Sequence, residues 1–243
     1  MSKSSIPYFQ YESFGAVDGP GIRLVIFVQG CYYRCLYCHN PESWDVNKKN
    51  KTISVDEIIS LYLSNKEFYR NGGITISGGD PTLYLDFLKS LAKKCKELDI
   101  SLAIDTAGVN FIETNKQKFK QIFKYKPLWI VDIKHINPKK HKQITCIAEQ
   151  REIKLIKFLD KNNQKFWVRQ VLVPGLTDNK NDLIKLGKFI KTLKNMERFE
   201  ILPYHRLAID KYRKLKIKYP LTKVKEPSKK QISNAMKYII NKK

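Results

Sequence analysis

The sequence of 243 residues contains no apolar run approaching the ~18 residues that cross a bilayer. Met1 to Gln10 lacks the apolar core of a secretion leader, so a cytoplasmic protein with no membrane association is expected. No Pro-, Gly- or Ser-rich linker, internal repeat or shift of composition divides the chain, and residues 1–243 are expected to form a single domain. Cysteine is scarce and odd in number, at five, which excludes a paired disulfide framework and suits a reducing compartment where thiolates remain able to bind metal. Arginine is scarce too, standing only at positions 23, 34, 70, 151, 169, 198, 206 and 213. The formal net charge of +23 is therefore nearly all lysine, scattered along the whole chain. No basic stretch is interleaved with base-stacking aromatics, which speaks against a nucleic-acid partner. The charge is better suited to steering encounter with an acidic protein.

What is present in one place is a set of three cysteines, in the segment Gly30-Cys31-Tyr32-Tyr33-Arg34-Cys35-Leu36-Tyr37-Cys38-His39-Asn40. Four-iron clusters normally take four thiolates, and the remaining cysteines, Cys95 and Cys146, lie far away in sequence. Three thiolates on one loop leave one iron open to a substrate. Two other readings of the loop stay open. A Cys3His zinc site would need the neighbours Cys38 and His39 to converge on one tetrahedral ion, which is awkward for adjacent side chains. A thioredoxin-like pair at Cys35 and Cys38 would leave Cys31 without a role.

Along the rest of the chain, short β-branched runs alternate with amphipathic ones. Strands are expected at Leu24–Gln29, Ile74–Ser77, Leu102–Asp105, Leu128–Lys134, Phe166–Val173 and Phe199–Pro203. A helix is expected from Tyr84 to Leu98, with Leu88, Leu91, Cys95 and Leu98 on one face, which makes Cys95 a core residue. Another should start at Asp178 as N-cap and bury Leu183, Leu186, Ile190 and Leu193. Six strands each followed by a helix imply an α/β fold, a partial (β/α)6 TIM-like barrel of parallel strands. Each strand ends in unusual polar residues: the cysteine loop, Ser77-Gly78-Gly79-Asp80-Pro81, Asp105-Thr106, Asp132-Ile133-Lys134-His135, Arg169 ahead of Val173-Pro174-Gly175, and Leu202-Pro203-Tyr204-His205. Any one of them could be a helix cap or a turn. In a parallel barrel, however, those C-terminal ends meet at one rim, where such folds place their active sites.

The C-x3-C-x2-C spacing resembles that of the radical S-adenosylmethionine (SAM) enzymes. The resemblance extends over nearly the whole chain to one family, the pyruvate formate-lyase activating enzymes among the glycyl-radical-enzyme activases. It is carried by Ser13 to Arg23 (SFGAVDGPGIR), Phe27-Val28-Gln29-Gly30-Cys31, Cys38-His39-Asn40-Pro41, Val173 to Asp178 (VPGLTD) and Glu200 to His205 (EILPYH). Many related activases insert a ferredoxin-like domain with additional cysteines after the cofactor loop, and this chain has no such insert.

The resemblance implies a 4Fe-4S cluster on Cys31, Cys35 and Cys38, with SAM on the fourth iron. One electron would cleave SAM to methionine and a 5′-deoxyadenosyl radical, which takes hydrogen from a backbone glycine of pyruvate formate-lyase. It also implies cofactor contacts from Tyr37, Cys38, His39, Gly78, Gly79, Asp80, Asp132, Ile133, Lys134, His135, Ile136 and His205, with Asp80 accepting from the SAM ammonium group. A monovalent cation would lie by Asp105, Thr106, Ile130 and Asp132. Asp18, Gly19 and Arg169 would face the glycine loop of the partner, and reduced flavodoxin or ferredoxin would supply electrons to a monomeric enzyme. Three features depart from the family pattern: Asp80 stands where Glu is usual, Ala107 and Gln170 replace Asn and Tyr, and Thr145-Cys146 occupies a position where Gly is common. Activation of another glycyl radical enzyme, such as the anaerobic ribonucleotide reductase, is the nearest alternative. A zinc-containing nucleic-acid-binding protein is a distant one.

Overall fold

The computed structural model describes residues 5–240. Residues 1–4, part of the stretch without a leader-like core, and both extreme ends of the expected 1–243 domain lie outside the described residues. The chain divides into two compact units, one running up to Tyr32 and resuming over Ser43–Val131, the other comprising Tyr33–Glu42 and the chain from Asp132 onward.

The first unit contains β1 (Ser5–Gly15), β2 (Arg23–Val28), β3 (Thr52–Ser54), α1 (Val55–Leu63), β4 (Gly73–Gly78), α2 (Leu85–Glu97), β5 (Leu102–Thr106), α3 (Lys116–Phe123) and β6 (Leu128–Asp132), the last residue of which opens the second unit. Its strands are ordered β3-β1-β2-β4-β5-β6. From β2 to β6 all neighbours are parallel, with Val28 beside Gly78, Ile76 beside Ile104 and Thr106 beside Val131. Parallel strands are covered on both faces and so read as continuous apolar runs. Leu24, Val25, Ile26 and Val28 are accordingly all buried, as are Ile74, Ile76, Ala103, Ile104, Trp129, Ile130 and Val131. Ser54 and Glu57 close a capping box at the start of α1, which fixes where β3 stops.

The second unit contains α4 (Pro138–Thr145), α5 (Arg151–Lys161), β7 (Phe166–Leu172), α6 (Lys180–Ile190), β8 (Met196–Pro203), α7 (Ile209–Lys214) and α8 (Lys229–Ile240). β7 and β8 are parallel, with Arg169 beside Glu200 and Leu172 beside Pro203. The backbone N–H of Ile133 donates to Arg169 O at 2.8 Å, which lays the chain leaving β6 along β7.

All six expected strands are present within a residue or a few of their expected bounds. The antiparallel strands β1 and β3 were not expected: β1 has Pro7 inside it and breaks register between Tyr8 and Gln10 and again between Glu12 and Gly15, so no regular alternation marks it. Two helix boundaries are corrected. Leu98 is the C-cap of α2 and is exposed rather than on the buried face. Asn179, not Asp178, is the N-cap of α6, because the Asp178 carboxylate accepts from Gly175 N at 2.9 Å instead. Leu193 lies beyond that helix. Among the described residues no helix is long and apolar enough to cross a membrane.

Candidate functional site

All five cysteines are reduced. Cys31 lies in the first unit, Cys35 and Cys38 in the second, where Cys38 N donates to Cys35 O at 2.9 Å and turns the loop so that both thiols belong to one tight bend. The loop is held at its start by Arg34 N and Leu36 N, which donate to Thr145 O and Ile144 O at the end of α4, at 2.9 and 3.0 Å. Further on it is held from α7: Tyr212 Oη donates to Cys38 O at 3.3 Å, and Lys211 Nζ reaches Asn40 Oδ1 at 2.8 Å and Glu42 Oε1 at 2.9 Å.

Around this bend stand Tyr37, Asp132 and Lys134. Lys134 Nζ pairs with Asp132 Oδ2 at 3.0 Å. Burial on its own would lower the Lys134 ammonium, but Asp132, Cys35 and Tyr37 together hold it well above its ordinary value. Burial pushes the Cys35 thiol up to about 12, against the pull of Lys134. Burial likewise raises the Tyr37 phenol. On the far side of Cys38 the rings of His39 and His205 meet edge to face, centroids 4.6 Å apart. Incomplete solvation, then Lys211 and His205, bring His39 down to about 4.

In the first unit, Gly78 and Gly79 end β4 against the start of the cysteine loop. Gly79 N donates to Val28 O and Asp80 N to Gly30 O, both at 2.8 Å. A Cβ on Gly79 would fall 2.1 Å from Gly30 O, and Gly78 has φ +106°, so both glycines are required by this close approach of two backbones. Ser77 Oγ donates to Asp105 Oδ2 at 2.9 Å, and Asp105 sits beside Ile130 in register, so these two expected cation residues are neighbours.

Asp80 departs from expectation. It is fully buried, and both carboxylate oxygens are occupied by donors of the chain itself. Thr106 Oγ1 lies 2.8 Å from each oxygen, Thr82 N donates to Oδ1 at 2.9 Å, and Ala107 N donates to Oδ2 at 2.9 Å. Thr82 Oγ1 and, more distantly, Val109 N complete the set. The side chain caps the 3₁₀ turn after β4 and ties it to the end of β5. The Thr106 hydroxyl is committed to the same clasp. His135 is also turned inward: its Nδ1 accepts from Asn137 N at 2.9 Å, and its Nε2 lies 3.8 Å from Asp182. Ile133 is buried, and the carbonyls of His135 and Ile136 accept from Gln150 Nε2 at 2.7 and 3.1 Å.

Asp18 and Gly19 lie at the N-terminal ends of the strands, at the opposite end of β4 from Gly78–Asp80. The segment is nailed down by Arg23, whose buried guanidinium donates to Thr75 Oγ1 at 2.6 Å, Ile74 O at 2.7 Å and Pro20 O and Ser101 O at 3.0 Å. Thr75 Oγ1 in turn donates to Asp18 O at 2.7 Å. Arg169, in β7, is nearly buried and its Nε donates to Glu200 Oε2 at 2.7 Å; Glu200 also holds Arg198, which lies over the Trp167 ring.

Comparison with known proteins decides what this arrangement belongs to. The profile of the Radical SAM superfamily matches residues 25–187, which runs through both units. The chain is 42% identical over 232 residues to the pyruvate formate-lyase-activating enzyme of Staphylococcus epidermidis, covering 94% of this chain and 92% of that one. It is 45% identical over 230 residues to the enzyme of the same name from Streptococcus mutans, covering 93% and 88%. The chain belongs to the pyruvate formate-lyase-activating enzymes of the radical SAM superfamily. Among solved structures, Streptococcus suis SuiB bound to its precursor peptide SuiA gives a TM-score of 0.67 at 21% identity, covering 94% of this chain and 47% of that one. A domain of a Bacteroides vulgatus pyruvate-formate lyase-activating enzyme gives 0.57 at 19% identity, covering 70% and 93%. At these identities the likeness is one of fold, the α/β fold of parallel strands expected from the sequence.

Membership of the radical SAM superfamily implies a 4Fe-4S cluster and SAM, and the residues of the second unit fit such groups. Thiolates on a cluster bind different irons, so they need not converge on one point as ligands of a single ion do. Among the described residues no three His, Cys, Asp or Glu side chains form a ready cage for one ion. A buried thiol with a raised pKa is deprotonated by the metal it binds. Tyr37 Oη and Asp132 Oδ1 are both buried without a hydrogen-bond partner, and buried polar atoms in that condition point to a group that would satisfy them. The residues that sequence reasoning missed are Glu42, Lys211 and Tyr212, which brace the loop at Cys38 and Asn40. Only the position of Lys211 and Tyr212 shortly after the His205 strand end could have suggested them.

Proposed function

We propose that residues 1–243 work as one radical SAM domain that generates the glycyl radical of pyruvate formate-lyase. The observation that carries the reading is the bend at Cys35–Cys38 set against the Lys134–Asp132 pair, with Tyr37 Oη and Asp132 Oδ1 buried and unsatisfied. Cys31, Cys35 and Cys38 would hold the cluster. Bound there, the cluster and SAM supply the electron and the adenosyl radical that removes hydrogen from a glycine of the partner.

The residues of the chain then have distinct tasks. Lys134 keeps positive charge beside the thiolates, which eases their deprotonation and offsets the burial of an anionic group. Tyr37 Oη and Asp132 Oδ1 offer hydrogen bonds to SAM, with His39, His205, Ile133, Ile136 and the backbone at Gly78 and Gly79 shaping the rest of its site. By the family resemblance, Asp105, Thr106, the backbone of Ile130 and Asp132 would hold a monovalent cation. Arg169, aimed by Glu200, is offered as a guide for the partner's glycine loop; Asp18–Gly19, fixed by Arg23 at the other end of β4, is not at that rim. A reduced flavodoxin or ferredoxin is the expected donor, because the cluster must be reduced at low potential, and the formal charge of +23 suits docking of an acidic partner. The enzyme is taken to act as a monomer in the cytoplasm.

The test is anaerobic reconstitution followed by EPR. The protein should hold one four-iron cluster whose reduced signal changes on addition of SAM, and incubation with pyruvate formate-lyase should give the doublet of a glycyl radical. Alanine at Cys31, Cys35 or Cys38 should abolish 5′-deoxyadenosine release, and alanine at Cys95 should not. A cluster indifferent to SAM would sink the open-iron reading, whereas a doublet on another glycyl radical enzyme alone would reassign the partner.

A further inference from the structure

Between the start of the cysteine loop and helices α4 and α5 lies a polar cluster that none of the roles above uses. Tyr33, His141 and Glu152 are all buried, the latter two completely. Tyr33 Oη donates to Glu152 Oε2 at 3.1 Å, and His141 Nε2 comes within 3.0 Å of Glu152 Oε1, a close contact without hydrogen-bond geometry. The other ring nitrogen of His141, Nδ1, is 2.9 Å from Ile147 O, so it carries a proton and donates. The Tyr33 ring meets the His141 ring edge to face at 5.6 Å. Thus one residue of the loop, one of α4 and one of α5 meet at a single carboxylate.

Buried ionisable groups are weak evidence of stability, because well-packed apolar side chains of similar size often stabilise a fold as much or more. What they contribute is direction. The place where direction matters here is the end of α4. The last-turn carbonyls of a helix have no partner within it, and two of them, Ile144 O and Thr145 O, are the acceptors for Leu36 N and Arg34 N on either side of Cys35. Thr145 Oγ1 donates back to His141 O at 2.9 Å, and the helix closes at Cys146 with a left-handed φ of 65°. The course of the loop through Cys35 is therefore copied from the position of the α4 terminus, and His141 and Glu152 set that position against α5.

We propose that Tyr33, Glu152 and His141 form a buried clasp that fixes the cysteine loop onto α4 and α5 and so positions the Cys35 and Cys38 thiolates for the iron–sulfur cluster. The proposal rests on the reading that those thiolates hold the cluster. None of the three touches the reacting groups; all are positioning residues, acting as outer-sphere partners do when they orient a metal ligand.

Three variants test it: Tyr33→Phe, Glu152→Gln, and the double change His141→Leu with Glu152→Leu, which replaces the His141–Glu152 contact by apolar volume and protects against a mere failure to fold. Two rates are read in each. One is the release of iron from the reconstituted protein to a chelator. The other is the alkylation of Cys35 in the metal-free full-length chain, followed site by site by mass spectrometry, with the thermal midpoint as control. Iron release should accelerate roughly 10- to 100-fold, the usual effect of losing an outer-sphere partner, and Cys35 alkylation should accelerate with it, even in the double-leucine variant whose midpoint holds. Wild-type iron release and alkylation in variants whose midpoint falls would reduce the cluster to ordinary packing and overturn the clasp. If the wild-type chain takes up no iron, the cluster reading fails by itself, and the alkylation comparison in metal-free protein still decides whether the clasp holds the loop.

Discussion

Removing the Asp80 carboxylate should damage the fold more than the cofactor. In the metal-free protein, Asp80→Ala would strand two buried backbone donors that cannot turn away, Thr82 N and Ala107 N, both 2.9 Å from the carboxylate. Each orphaned buried donor costs about 1–3 kcal/mol, so the loss should be about 2–6 kcal/mol, before counting the hydroxyls of Thr82 and Thr106, which can reorient. Against a folding stability of about 5–15 kcal/mol for a typical domain, that is a large shift of a urea midpoint followed by circular dichroism. Asp80→Asn keeps one oxygen but points an amide N–H at the remaining donors, and should fall between wild type and alanine. Asp80→Glu adds a methylene to a closed site and should cost about 1–3 kcal/mol by overpacking. A carboxylate serving chiefly the SAM ammonium group behaves differently: metal-free Asp80→Ala would then lie within about 1 kcal/mol of wild type, while SAM affinity would fall by the ~1.5–3 kcal/mol of a charge-assisted bond. That pair of results would refute the clasp.

Gly79→Ala should prevent stable cluster assembly, measured as iron per chain after reconstitution, because a Cβ at that position meets Gly30 O at 2.1 Å and pushes the cysteine loop away from β4. Arg23→Met should lower stability by about 2–4 kcal/mol, since it leaves several buried acceptors without a donor, and should open the chain near Asp18–Gly21 to limited proteolysis. Burial raises the Cys95 thiol from near 9 to about 12, with Arg23 opposing. The folded state then keeps a proton that the unfolded chain gives up, so this contribution to stability is complete below about 9 and is lost as pH rises toward 12. Cys95→Ala should flatten that part of the pH profile in denaturant titrations, and an unchanged slope would argue against the burial.

The parts of this molecule that could be read from sequence are those whose cause is local. The six parallel strands announce themselves because burial on both faces demands unbroken apolar runs, as in Leu24 to Val28, and the cysteine loop because its three cysteines lie within eight residues, Cys31 to Cys38. β1 escaped because a strand with Pro7 and two register breaks has no period to detect. Asp178 and Asn179 are equally good caps on paper, and only the Gly175 N–H, which claims Asp178, decides between them. Tyr212 and Lys211 brace Cys38 and Asn40 across 174 and 171 residues of chain, a pairing no local pattern encodes.

Asp80 shows the limit most clearly, because its residue type was read as a shortened version of an expected ligand. Its partners Thr106, Ala107 and Val109 lie 26, 27 and 29 residues further on, at the end of a neighbouring strand. A side chain one methylene shorter than Glu keeps its oxygens close to the backbone of its own turn, where Thr82 N caps them, and there the end of β5 can close over both. The same shortening that weakens its reach toward a ligand thus locks two adjacent strand ends together. β4 ends at Gly78 in register with Val28, immediately before the cysteine loop, so the clasp stiffens the frame from which Cys31 is presented.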